Sequence, residues 1–362
     1  MVVVLDVAGA GASDVVAGTS PLAELLSCLH VLSEPEHHPE SRTWLARVGE
    51  RLPAGLAQEL RYYSPLWARY RCRLFYPLRG PLGLDLHAEA EALLGLGEET
   101  FVPLAANAIR GAVFPGAGLL ATSGTERREF VKACERRSFS RGELANALVE
   151  DPEAFRAGLV ETVGRCAEAF FDEEWRRVGP RLSDIAARVR EQLRTEPADA
   201  VLASVSPTAA ATRDPAPRVS YDKLQSARGK VRDRGCFLVP TMHGWPHLIL
   251  KLDAGLPLVV HFIADDWEQR PSVSQSLVRD RLSALSEPAR LELCRHLLSE
   301  PITTSELAVR MGIGEPQVSR HLRRLREVGL VTSQREGRMV YHRLHAELLL
   351  NLGADVLTTV MR

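Results

Sequence analysis

Residues 303–343 carry, in unbroken order, the signals for two short helices across a glycine turn and then a hairpin, and no other stretch restricts the fold as tightly. Thr303 stands three residues before Glu306, a capping box in which side chains and backbone exchange hydrogen bonds to start a helix. "GIG" at 312–314 stops that helix with a tight turn. Glu315 and Pro316 open the next helix, where the missing proline N–H costs nothing, and Gly329 closes it. In "LVTSQREGRMVYHRL" two strand-like stretches surround "REGR", the pattern of a β-hairpin wing. Upstream, "SQSLVRDRLSALS" sets Val278, Leu282 and Leu285 on one helical face, and "SEPARLELCRHLLSE" restarts with Ser286 as cap and Pro288 in the first turn. The expectation is a winged helix-turn-helix over 271–362.

Charge gives that module a direction. At 100° per residue, Val318, Leu322 and Leu325 fall on one side of the second helix, facing its core. Gln317, Arg320, Arg323 and Arg324 fall on the other side, with Ser319 at the margin. The whole chain has a formal charge of −1, yet residues 272–362 hold 13 arginines, no lysine and 10 acids, a net +3 that leaves −4 for the rest. Between 316 and 343, seven arginines face only Glu327 and Glu336. The second helix of such a motif enters the major groove, where an arginine fork grips guanine or phosphate with two hydrogen bonds. Arg335 and Arg338, flanking the Glu336–Gly337 turn, would reach the backbone or minor groove beside it. A solvated basic helix is the alternative. The complete helix–turn–helix–wing order favours double-stranded DNA.

The other 270 residues read as a large, mostly helical domain with a small β-sheet, making the whole chain α+β and predominantly helical. Its 362 residues suffice for two cores. "SPLAELLSCLHVL" predicts a helix from Pro21 with Ser20 as cap, and helical patterning recurs over 42–63, 86–111, 125–149 and 152–196. "SVSPTAAATRDPAPRVS" (204–220) reads as an exposed loop. "CFLVPTM", "HLILKLD" and "LPLVVHFI" predict a small sheet that the opening strand, Val2 to Val7, should join. The domain boundary is expected near 265–272, giving 1–270 and 271–362. The apolar run at 256–264 is far short of the roughly 18 residues of a membrane span, and no basic region precedes the first apolar residues, so neither membrane span nor secretory signal is expected. Six scattered cysteines (28, 72, 134, 166, 236 and 294) suggest reduced thiols and a cytoplasmic protein.

Other features invite weaker readings. "VVVLDVAGAGASD" has Asp14 where a dinucleotide-binding turn needs its third glycine, and "GAVFPGAGLLATSGT" lacks the GK[ST] ending of a phosphate loop. His243 and His247 have metal-like spacing, but Trp-Pro between them breaks any helix that would align them, so no metal is expected there. "RYYSPLWARYRCRLFY" (61–76) interleaves aromatics with Arg69, Arg71 and Arg73; a ligand pocket or a stacking surface competes with the favoured reading of a half-buried amphipathic segment.

The segments "LSALSEPARLELCRHL", "TSELAVRMGI", "QVSRHLRRLREVGLV" and "REGRMVYHRL" resemble the ArsR/SmtB family of bacterial winged-helix transcription regulators. That resemblance covers about 70 residues and implies a homodimer whose interface is made by the first and last helices of the module. Here these carry Val278, Leu282 and Leu285, and Leu349, Leu352, Val356 and Val360. The alternative is that the final helix packs on its own N-terminal domain. Metal-sensing members carry a Cys pair in the first helix of the motif or Asp, His and Glu ligands on the last helix. "ITTSELAVRM" has no cysteine, and His345 is the only histidine at or beyond the start of the last helix, so no metal or other cofactor is carried over. "SPLAELLSCLHVL" and "DRGCFLVPTMHGWPHLIL" resemble an uncharacterised N-terminal domain of some actinobacterial regulators of the same type. The resulting expectation is a dimeric repressor on a palindromic operator, controlled through a small-molecule or protein effector of residues 1–270. Its rivals are an enzyme that uses the winged helix only to dimerise, and a protein-interaction module.

Overall fold

Residues 2–38, 41–206, 209–223, 226–244, 247–264 and 275–360 are described by a computed structural model. They form two units, Met1–Ser33 with Thr43–Asp265, and Glu34–Arg42 with Asp266–Arg362.

In the first unit, β1 (Val2–Asp6) buries Val3 and Leu5 and leaves their neighbours partly open, the period of a strand with one face on a core. A turn through Gly9 leads to β2 (Val15–Ala17). The helix α1 (Pro21–Ser33) is buried from Pro21 through Val31, as its apolar composition requires. The Ser20 hydroxyl oxygen accepts from the Ala23 N–H at 3.2 Å, and Glu89 accepts from the Leu22 N–H at 2.8 Å, so donors that a helix start leaves open are met.

The helical patterning expected over 42–63, 86–111 and 125–149 appears as pairs: α2 (Arg42–Gly49) and α3 (Ala54–Tyr63), α4 (Leu86–Leu94) and α5 (Glu98–Arg110), α6 (Gly124–Glu135) and α7 (Phe139–Glu150). Side chains of Asp85, Ser123, Ser138 and Asp151 cap α4, α6, α7 and α8 (Pro152–Cys166), each accepting from the N–H three residues on. One π turn, Ala167–Phe171, joins α8 to α9 (Asp172–Thr195) and buries Phe170 and Phe171 side by side. These helices close on a core containing Leu25, Leu29, Phe101, Phe130, Leu144 and Phe171. The α9 face of Val178, Leu182, Ile185, Val189 and Leu193 closes a second core with Leu5, Val15, Tyr221, Leu238 and Val260.

After α10 (Ala198–Ser204) come β3 (Ala209–Thr212), β4 (Arg218–Asp222), β5 (Ala227–Lys230), the one-turn α11 (Val231–Arg234), β6 (Cys236–Thr241), β7 (Ile249–Lys251) and β8 (Leu258–Ile263). Two sheets result, ordered β3-β4-β1-β5 and β2-β6-β8-β7. This corrects the expectation that the opening strand joins residues 236–263. Both edges of β1 are taken, antiparallel by β4 and parallel by β5, and the place beside β6 goes to β2, with Val15 opposite Cys236 and Ala17 opposite Leu238. The loop expected at 204–220 is also corrected. Ala209–Thr212 has no β-rich composition of its own, but it pairs antiparallel with β4, Ala209 opposite Tyr221 and Thr212 opposite Arg218.

The second unit contains α12 (Gln275–Leu285), α13 (Pro288–Ser299), β9 (Ile302–Thr303), α14 (Thr304–Met311), α15 (Glu315–Glu327), β10 (Val331–Glu336), β11 (Met339–Leu344) and α16 (Ala346–Val360). Its core joins Leu293, Leu297, Leu307, Val318, Leu322, Leu325 and Leu344. Among the described residues no helix is long and apolar enough to cross a membrane. All six cysteines are buried and free.

Candidate nucleic-acid interface

Local hydrogen bonds bound both helices of the motif. Thr303 accepts from the Glu306 N–H at 3.3 Å and starts α14. Gly312, at φ 66°, ends it: Ile313 N–H returns to the Ala308 carbonyl and Gly312 N–H to Val309. The same paired closure recurs after α15, where Gly329 at φ 77° lets Leu330 N–H reach Leu325 and Gly329 N–H reach Arg326. A side chain at either glycine would meet the left-handed penalty.

Between those stops α15 turns Val318, Leu322 and Leu325 inward, all buried. Gln317, Ser319, Arg320 and Arg323 are exposed, and Arg324 is half-buried. Arg320 forms no ion pair among the described residues. Arg323 and Arg324 share one carboxylate, Glu327, at 3.3 and 3.2 Å, with their side chains 77% and 41% exposed. Open pairs of this kind contribute under about 1 kcal/mol, and sharing one acceptor leaves positive charge over. A phosphate can replace Glu327 at little cost.

The wing is a hairpin in which Val331 faces Leu344 and Glu336 faces Met339. Its two-residue turn is therefore Gly337–Arg338, with Gly337 at φ 60°, so Arg338 stands within the turn where the sequence placed it beside a Glu336–Gly337 turn. Arg338 and Arg335 are exposed, and Arg335 Nε donates to the Gly337 carbonyl at 3.2 Å. Behind the wing, buried His342 contacts Thr304 through Nε2 (3.0 Å) and Ser333 through Nδ1 (2.8 Å), tying the start of α14 to both wing strands. Burial first, then the charge of Arg326, lowers its pKa.

Arg343, counted from sequence among the basic residues, is neutralised. Its Nε lies 2.9 Å from Glu36 and a terminal nitrogen lies 3.6 Å from Glu34, both on the 34–42 segment. Arg42 of that segment pairs with Glu347 at 2.7 Å. No local sequence signal could have joined residues three hundred positions apart.

Of the residues expected at a dimer surface, Val278 and Leu352 are buried within the unit, and Leu285 and Leu349 pack on its core. Leu282 is exposed, Val356 is half-buried, and the Val360 side chain lies outside the described residues. Helices α12 and α16 touch, and a buried ion pair that sequence reading missed links them: Arg281 to Asp355 at 3.7 Å. Arg281 Nε also donates to the Val328 carbonyl at the C-terminus of α15, where a cation suits the helix dipole.

In the first unit, the 61–76 segment is more deeply buried than its arginines suggested. Arg73 is fully enclosed, donating to the carbonyls of Tyr76, Pro77 and Pro257 at 2.9–3.0 Å, with Asp253 at 3.4 Å, so its guanidinium holds backbone. His243 and His247 part company: His243 pairs with Glu24 and Glu174, whereas His247 sits 5.3 Å from the His30 ring.

Residues 1–268 match a family of unknown function, DUF5937, and residues 285–334 match a helix-turn-helix domain. A biofilm growth-associated repressor of Xylella fastidiosa is 35% identical over 86 residues, 24% of this chain and 72% of that protein. The transcriptional repressor SmtB homolog of Synechocystis is 39% identical over 74 residues, 20% of this chain and 56% of that protein. The crystal structure of the transcriptional repressor BigR from Xylella fastidiosa aligns with 22% of this chain and 85% of its own at 34% identity, with a TM-score of 0.20. On the sequence matches, the chain belongs to the DUF5937 family and carries at its C-terminal end a winged helix-turn-helix of the ArsR/SmtB type.

Proposed function

We propose that this protein is a dimeric transcriptional repressor that reads a palindromic operator through α15 and is controlled by its N-terminal unit. The observation that carries the reading is the outward face of α15, with Arg320 outside any described ion pair and Arg323 and Arg324 sharing a single exposed carboxylate. Gln317, Ser319, Arg320, Arg323 and Arg324 contact bases or phosphates, and Arg335 and Arg338 hold the wing on the backbone. Two such helices about a two-fold axis read half-sites one duplex turn apart, roughly 34 Å. Exposed Leu282 and half-buried Val356 on adjoining helices α12 and α16 support a partner copy there, with partly buried Leu285 and Leu349 beside them, whereas Val278 and Leu352 are already buried inside the unit and hold the two helices from within.

Control by the first unit is supported by a cavity of about 820 Å³ lined by Ser20, Leu22, Tyr76, Glu89, Leu93 and Leu256, a size and mixed lining that suit a small effector. An effector there changes operator affinity only if it binds the competent and incompetent states unequally. Gel shift on the promoter upstream of the protein's own gene tests the reading, with a scrambled duplex as control. Retarded complexes with the promoter alone are expected. Equal retardation of the scrambled duplex, or none of either, contradicts specific recognition.

A further inference from the structure

We infer that Glu24, Cys28 and His243 form a binding site for one zinc-class divalent cation inside the first unit, with Glu174 fixing the histidine. One carboxylate oxygen of Glu24, the Cys28 sulfur and one ring nitrogen of His243 lie within 4.8 Å of one another, and all three residues are buried. Glu24 and Cys28 stand one turn apart on α1, so they share a face, and His243 follows β6. The site is unrelated to the winged-helix positions at which metal-sensing relatives carry ligands, and it does not depend on the DNA reading.

The surroundings match those of a metal centre. Glu24 accepts from the backbone N–H of Met242 at 3.2 Å and of His243 at 3.1 Å, which aims its carboxylate. His243 Nδ1 lies 2.7 Å from Glu24 Oε1, while Nε2 lies 3.2 Å from Glu174 Oε1. A carboxylate accepting from the far nitrogen of a ligating histidine sets its tautomer and raises its basicity. Glu174 is itself anchored by Arg47 at 3.0 Å and by Arg177. The Trp44 ring packs 4.9 Å from that of His243 and covers the site.

Both ring nitrogens of His243 face carboxylate oxygens, Nδ1 that of Glu24 and Nε2 that of Glu174. A dication bound at Nδ1 takes the place of the proton shared with Glu24 and of the Cys28 thiol proton, which pass to solvent, with bonds forming to nitrogen, sulfur and the Glu24 carboxylate. The 2.7 Å separation of oxygen and nitrogen must open to about 3.3 Å for tetrahedral bonds of about 2.0–2.1 Å, a shift within side-chain reach. One thiolate, one imidazole and one carboxylate suit zinc and cobalt(II), and do not suit magnesium or calcium.

The test is anaerobic titration of the reduced, metal-free full chain with cobalt(II), read by its thiolate-to-cobalt charge-transfer absorption. One equivalent per chain is expected, displaced by zinc, with release of about two protons per ion. Cys28→Ser should abolish the band, Cys294→Ser should keep it, and His243→Gln, which removes a ligand, should weaken affinity by at least the roughly tenfold that loss of an outer-shell partner costs. No saturable band, or a band that survives Cys28→Ser, overturns the site. Should Cys28→Ser fail to fold by circular dichroism, X-ray absorption at the zinc edge of the loaded wild type decides. One sulfur among nitrogen and oxygen neighbours supports the site; none, or more than one, overturns it.

Discussion

Removing Asp355 should damage the winged-helix unit far more than the length of its ion pair with Arg281 suggests. The Arg281 and Asp355 side chains are 6% and 4% exposed, and the nitrogen–oxygen separation is 3.7 Å, too long for a hydrogen bond. Geometry of that kind gives the pair little net value over a well-packed apolar substitute, because the attraction barely repays the desolvation of both charges. The asymmetry lies in breaking it. Asp355→Ala leaves Arg281 charged and enclosed, which costs about 3–5 kcal/mol. Domains of this size are stable by about 5–15 kcal/mol in all, so the variant stands at the edge of unfolding. Because Arg281 also holds the Val328 carbonyl, the C-terminus of α15 loosens with it. Arg281→Met combined with Asp355→Leu removes both charges and should recover most of the loss. The assay is denaturant-dependent hydrogen exchange of α15 core amides in wild type, both single variants and the double variant. A single-variant cost below about 1 kcal/mol, or a double variant no better than the singles, refutes the reasoning.

Glu89 and His342 make opposite predictions against pH. Burial raises the Glu89 carboxyl to about 7, so the folded state keeps a proton that the unfolded chain releases above about 4.5. Stability of the first unit is therefore lost as pH rises from about 4.5 to 7, by about 2–3 kcal/mol, and Glu89→Gln, which can still accept from Leu22 and Ser20, should lack that loss in urea titrations. An identical pH slope in the variant contradicts the assignment. His342 has its folded pKa lowered, so the unfolded chain takes the proton first and the winged-helix unit loses stability as pH falls below about 6.5. Hydrogen exchange of its core amides between pH 7 and 5 should show this drop in wild type and a flatter course in His342→Gln; equal drops would count against it.

The C-terminal module was legible because its constraints are local. Thr303, Gly312, Pro316 and Gly329 act within one helical turn of themselves, and the 3.6-residue period of Val318, Leu322 and Leu325 sets the outward face without help from the rest of the chain. What escaped was set by pairing at long range. Strand β1 was legible as a strand, but its partners at 218–222 and 227–230 were not, and Ala209–Thr212 became a strand only because β4 lies beside it. The salt links of Arg343 to Glu34 and Glu36, and of His243 to Glu24 and Glu174, join residues separated by 69 to more than 300 positions, for which spacing carries no signal. The basic count of the recognition stretch was correspondingly too high by Arg343.

The salt dependence of operator affinity tests the α15 assignment most directly. Each phosphate neutralised steepens the fall of log affinity with log salt by about 0.9. Fluorescence anisotropy across a salt series should give a steep slope for wild type and one shallower by about 1–2 for Arg320→Ala combined with Arg324→Ala, with weaker binding throughout. Equal slopes and equal affinities for the two proteins would contradict the claim that this face of α15 meets the duplex.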